Sequence, residues 1–233
     1  MTEAEWLTCG APGAMLAHVA PGGSARKRRL FGCACCRRIW NLIPDDRSRA
    51  AVQVAELYAD GGADAHQLEA ARREANDAYQ QYRKYIRTGD TYKGFGTGAC
   101  LCTAGEDPFR SPEEPEGRLV LDWQDAAETA LDGGARWHAE LGAICALIRD
   151  IFGNPFQPVA LAAAQRGAPV VKLARTIYDE NAFDRMPLLG DALRKAGCDN
   201  DAILDHCRDP KQIHARGCWV VDLVLGLEGS HKS

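Results

Sequence analysis

The segment Ala25–Ile43, ARKRRLFGCACCRRIWNLI, decides the fold class. Read at 3.6 residues per turn, Leu30, Phe31, Ala34, Cys35, Ile39, Trp40 and Leu42 form one broad apolar side, and Arg37 and Arg38 face elsewhere. Pro44-Asp45-Asp46 interrupts this first long helix and offers acidic caps to a second, Arg47 to Ala59, which Gly61-Gly62 closes. Ala65 to Arg87 follows as a third, rich in strong helix formers.

Downstream the character changes. Gly89 to Gly117 is glycine-rich and then acidic, punctuated by Pro108, Pro112 and Pro115. A loop of that length points to mobility, ligand contact or a domain boundary. Helical composition resumes from Trp123 to Arg149, with Gly133-Gly134 as a potential break. Phe152 to Pro158 reads as a rigid turn-rich connector. Val170–Asn181 and Met186–Ala196 look like short helices, with Pro187 tolerated at an early helical position. Asn200–Cys207 supplies another, and Cys218–Leu227 reads as a helix in this company.

The expected fold is therefore mainly α, a compact multi-helix domain with a long Gly/Pro-rich central loop. Its parts are an N-terminal helical region (1–88), a flexible or ligand-contacting loop (89–117), a C-terminal helical region carrying a Cys/His cluster and packed with the N-terminal region (118–227), and a frayed tail (228–233).

A chain of 233 residues can bury a substantial core. Its formal net charge of -4 favours neither a general nucleic-acid binder nor an acidic tail. The N-terminus lacks the pattern of a signal peptide, and no apolar run approaches the roughly 20 residues of a membrane helix. The expected compartment is a reducing cytoplasm. There, ten cysteines argue for thiols or metal ligation rather than a disulfide scaffold.

The combination of Arg29-Leu30-Phe31 through Cys36-Arg37-Arg38-Ile39-Trp40, Asp150 through Phe156, Tyr178 through Met186, Gly197 through Cys207 and Gly217-Cys218-Trp219-Val220-Val221-Asp222 is distinctive. Together these segments resemble an uncharacterised family of paralogous cytoplasmic proteins expanded in planctomycete-type bacteria. The likeness spans most of residues 3 to 227. It carries no catalytic or binding residue with it.

The most compact candidate metal site is His206, Cys207, His214 and Cys218. Structural zinc takes four nitrogen or sulfur ligands in tetrahedral geometry, and Zn2+ suits this donor set. Such a site would fasten two short terminal helices that bury little surface alone. Adjacent residues on a helix project about 100° apart, so His206 and Cys207 can share an ion only if the helix ends there. Cys198 is about 13 Å from Cys207 along a continuous helix, and would instead join Cys33 or Cys36.

Within Cys33-Ala34-Cys35-Cys36, Cys33 and Cys36 share a helical face. Cys36 and Trp40 form an i,i+4 pair, as ordinary packing would have it. A chemical role would need distant partners such as Cys100 and Cys102, whose polar surroundings argue against simple burial. Arg37 and Arg38 would favour thiolates only at an exposed cysteine. Cys9 and Cys145 are assigned to packing, Cys145 in an apolar helix seam.

Dinucleotide, phosphate-loop, His-Glu-x-x-His and nucleophile-elbow motifs are all missing. The leading expectation is a non-enzymatic helical binding or regulatory module with structural zinc and a protein partner, its 89–117 loop offering an adaptable surface. Two alternatives stand beside it. One is a metal-dependent hydrolase built on the C-terminal cluster, with Asp205 positioning a metal-bound water and Asp199 and Asp201 nearby. The other is a nucleic-acid-binding protein whose N-terminal basic helix presents Arg26, Lys27, Arg28, Arg29, Arg37 and Arg38 to backbone phosphates. Three protein ligands with an open position would favour catalysis, and four in a closed shell would favour architecture.

Overall fold

In the computed structural model, residues 1–19, 21–84, 97–100, 103–105 and 135–227 are described. Most of the expected 89–117 loop, Cys102, residues 118–134 and the tail from 228 onward lie outside them. Among the described residues every regular element is helical, in agreement with the mainly α expectation. None of these helices is long and apolar enough to cross a membrane. The chain divides into two compact units, Met1–Ile148 and Arg149–Ser233, and the boundary falls inside one helix.

The first unit opens with α1 (Glu3–Thr8) and α2 (Pro12–Val19). Thr2 and Glu5 form a reciprocal capping box at the start of α1. Then α3 (Ala25–Arg38) packs against α4 (Asp46–Ala59), and α4 against α5 (Ala65–Tyr82). Leu30 and Phe31 of α3 and Ala51, Val52 and Ala55 of α4 are buried, and each large apolar side chain among them contributes about 1.5–3 kcal/mol.

Helix α3 ends earlier than its apolar pattern suggests. Trp40–Leu42 tightens into a 3-10 turn, and Ile43 is extended (φ -76°, ψ 113°) because Pro44 disfavours helical backbone in the residue before it. Asp45 caps α4 as expected, its carboxylate accepting from the Arg47 backbone N–H at 2.9 Å. Gly61, at φ +74°, closes α4 in the left-handed conformation that glycine adopts without cost.

Cys33, Cys35 and Cys36 are enclosed free thiols, as the packing reading held. Burial pushes the Cys33 and Cys35 thiols well up, which outweighs the nearby arginines. Cys100 departs from expectation. It is completely buried, because Arg29 reaches across to the carbonyls of Thr103 (2.8 Å) and Gly105 (2.7 Å) and draws this short segment onto α3. Cys36 Sγ lies 3.5 Å from Thr103 Oγ1 in the same contact.

In the second unit, α6 (Ala135–Phe152) finishes, and α7 (Ala168–Asp179), α8 (Met186–Lys195), α9 (Asp201–Arg208) and α10 (Trp219–Leu225) follow. Their buried positions keep helical spacing: Val170, Ala174, Ile177 and Tyr178 on α7, and Met186, Leu189, Gly190 and Leu193 on α8. Ile203, Leu204 and Cys207 do the same on α9. These faces meet Val220, Val221 and Val224 of α10 in one apolar cluster. Helix α7 packs on α8 and α10, and α8 on α9. The Tyr178–Met186 connection bends through Asn181 (φ +52°) and carries the long Arg185–Glu180 pair at 3.9 Å, with Met186 buried beneath.

Candidate metal centre

Three elements converge beside that cluster. Asp150 comes from the last turn of α6, where Gly153 stops the helix at φ +70°. His206 comes from the last turn of α9, a helix started by Asn200, whose side chain accepts from the Ile203 N–H at 3.2 Å. His214 and Cys218 come from the turn before α10. Gly217 (φ +94°) and the Cys218 N–H bond to the Ala215 carbonyl (3.0 Å) fold that turn tightly enough to aim both side chains inward.

One donor atom from each of Asp150, His206, His214 and Cys218 lies within 4.8 Å of all the others. His206 Nε2 is 3.1 Å from Asp150 Oδ1 and 3.3 Å from Cys218 Sγ. His214 Nδ1 is 2.8 Å from the same Oδ1 and 3.9 Å from the same Sγ. Around tetrahedral zinc, bond lengths near 2.0–2.3 Å put nitrogen and oxygen ligands about 3.3 Å apart, and sulfur about 3.6 Å from either. The two sulfur edges, 3.3 and 3.9 Å, bracket their value, whereas the two nitrogen–oxygen edges, 3.1 and 2.8 Å, are both shorter than theirs, at hydrogen-bond length. The second carboxylate oxygen, Oδ2, accepts from the Ala215 backbone N–H at 2.9 Å and is thereby held out of the centre.

The group is largely closed to solvent. Asp150 and Cys218 are fully buried, and the His206 and His214 side chains are exposed by 10% and 7%. Burial opposes ionisation of Asp150, but hydrogen bonds and charge from His206 and His214 outweigh it and hold its carboxyl below the usual range. Burial, reinforced by the Asp150 charge, pushes the Cys218 thiol well above its ordinary value. A cation at the centre would reverse that last effect, because a coordinated thiol is deprotonated outright.

Three of the four sequence-derived candidates lie in the converged group. His206, His214 and Cys218 are brought together, but the fourth member of the converged group is Asp150 and not Cys207. Cys207 projects from α9 into the apolar cluster, against α8 at Gly190, where a Cβ would lie 2.9 Å from the Cys207 Cβ. Burial pushes its thiol up to about 12. The cause is the roughly 100° step between successive helix positions: with Ile203, Leu204 and Cys207 facing inward, His206 is turned to the side.

Asp150 did carry a signal. It stands three residues after Leu147, on the stripe that also buries Ile144, Ile148 and Ile151, where a carboxylate requires a partner. Asp199, Asp201 and Asp205 are exposed, and Cys198 sits in the apolar cluster. Comparison with protein-family models, curated proteins and solved structures found no match for this chain.

Proposed function

We propose that the second unit is a metal-stabilised helical binding or regulatory module in which Asp150, His206, His214 and Cys218 hold one structural Zn2+. The observation that carries this reading is the convergence of four chemically suitable donors, contributed by α6, α9 and the turn before α10, within 4.8 Å. Two imidazoles, one thiolate and one carboxylate form a borderline set that suits zinc. Four protein ligands in a nearly closed shell support an architectural role over a catalytic one, which keeps a position open for water.

The ion would serve the polypeptide between α9 and α10. Residues 209–218 have no regular structure beyond turns, and the ligands would pin both of its ends to α6. The hydrolytic alternative gains nothing from the geometry, since Asp205 is exposed and stands outside the converged group. The nucleic-acid-binding alternative is weakened by internal pairing: Arg26 bonds Asp60, Arg37 bonds Glu56 and Arg38 bonds Glu140.

Elemental mass spectrometry on tag-free protein purified under reducing conditions tests the reading. About one zinc per chain is expected, lost on single substitution of His206, His214 or Cys218. Less than about one-tenth of an equivalent, with no uptake after controlled zinc addition, would overturn it.

A further inference from the structure

The four donors differ in how they meet solvent. Asp150 and Cys218 are enclosed, so an entering or leaving ion passes beside the imidazoles, of which His206 is the more exposed. The His206 ring is met by the edge of His214 (centroids 4.9 Å apart, planes at 77°) and by the indole of Trp219 (5.1 Å, 51°). Trp219 is half-buried and directly follows the ligand Cys218 at the start of α10.

The end of α6 is shaped to accept that indole. A Cβ at Gly153 would lie 3.4 Å from Trp219 Cγ and 3.6 Å from Cδ2, so the ring rests on bare backbone. The left-handed φ of +70° at Gly153 ends α6 at Phe152 and so leaves Asp150 within its last turn. The indole is thus fixed between the α6 terminus that presents Asp150 and the imidazole of His206.

On the basis of the metal-site reading above, we propose that Trp219 is a positioning residue that covers His206 and governs exchange of the bound ion. A shell of two imidazoles, one carboxylate and one thiolate gives up its ion stepwise, by water or a chelator displacing one ligand at a time. His206 is the ligand that such a displacement reaches first. A large rigid apolar ring against it keeps water away and holds the imidazole in its ligating orientation. No bond within the protein is made or broken in this role.

The test uses the full chain loaded with Zn2+ to a measured single equivalent, mixed rapidly with excess chromogenic chelator. Trp219→Ala should release zinc at least about tenfold faster than the parent chain, with Trp219→Phe within about threefold of it. The ligand-field absorption of the Co2+-loaded forms should stay in place, because all four donors remain. Release from Trp219→Ala within about twofold of the parent would overturn the proposal, as would a displaced cobalt band in Trp219→Phe. If Trp219→Ala does not fold, Trp219→Leu removes the rigid ring with every ligand intact and a large apolar side chain retained, and the same comparison decides. Failure of the underlying reading looks different: the parent chain itself would take up neither zinc nor cobalt.

Discussion

Replacing Asp150 by Asn keeps the shape of the side chain and removes its charge, which separates a metal centre from a plain hydrogen-bonded cluster. Without metal, the amide can turn its oxygen to the Ala215 N–H and its NH2 to one imidazole, so the loss reduces to part of a buried network. That costs about 1–3 kcal/mol. With metal, an anionic ligand is gone. Removing outer partners of a ligand already costs 10–100-fold in affinity, so losing the ligand should cost at least about 100-fold.

At free zinc of about 100 times the parent dissociation constant, linkage stabilises the parent by about 2.7 kcal/mol and Asp150→Asn by about 0.4 kcal/mol. For a chain of 233 residues this corresponds to a zinc-dependent rise in Tm of about 5–10 °C, against about 1–2 °C in the variant. Thermal unfolding followed by circular dichroism in a zinc buffer, with and without the metal, reads both shifts. An equal zinc-dependent rise in the two proteins would refute the assignment of Asp150 as a ligand.

Cys207→Ala should retain one equivalent of zinc with affinity within about threefold of the parent, whereas Cys218→Ala should lose it; elemental analysis after dialysis distinguishes them. Gly190→Ala should lower stability in urea by about 1–3 kcal/mol, because the added methyl meets the Cys207 Cβ at 2.9 Å on backbone-fixed atoms. Gly226→Ala should cost a similar amount, about 1–3 kcal/mol, from a left-handed φ of +70° and a Cβ 2.6 Å from Arg166 Nη2, disturbing the Arg166 bond to the Val224 carbonyl. Asp45 has a lowered folded-state pKa, chiefly from the Arg47 side chain, so its contribution is complete above the unfolded value of about 3.9 and is lost as pH falls through the lower folded value. Asp45→Asn keeps the cap and should flatten that part of the acid limb in a urea-midpoint series from pH 5 to pH 2.

Helix positions were legible in the chain because they depend on local chemistry. Asp45, Asp64 and Asn200 each cap a helix through a side chain bonded to backbone two or three residues on, and the apolar spacing on α7, α8 and α9 is a property of consecutive residues. The ends of helices were less so: the reach of Pro44 shortened α3, although every residue involved was in view.

The site divides along the same line. His206, His214 and Cys218 fall within thirteen consecutive residues, so short-range spacing was enough to gather them. Asp150 lies 56 residues before His206, and no local pattern measures that distance. The choice between Cys207 and Asp150 belonged to tertiary packing alone. Once the apolar face of α9 turned toward α8, burial of Cys207 against Gly190 placed its neighbour His206 beside the end of α6, and the buried carboxylate there needed the partners it found.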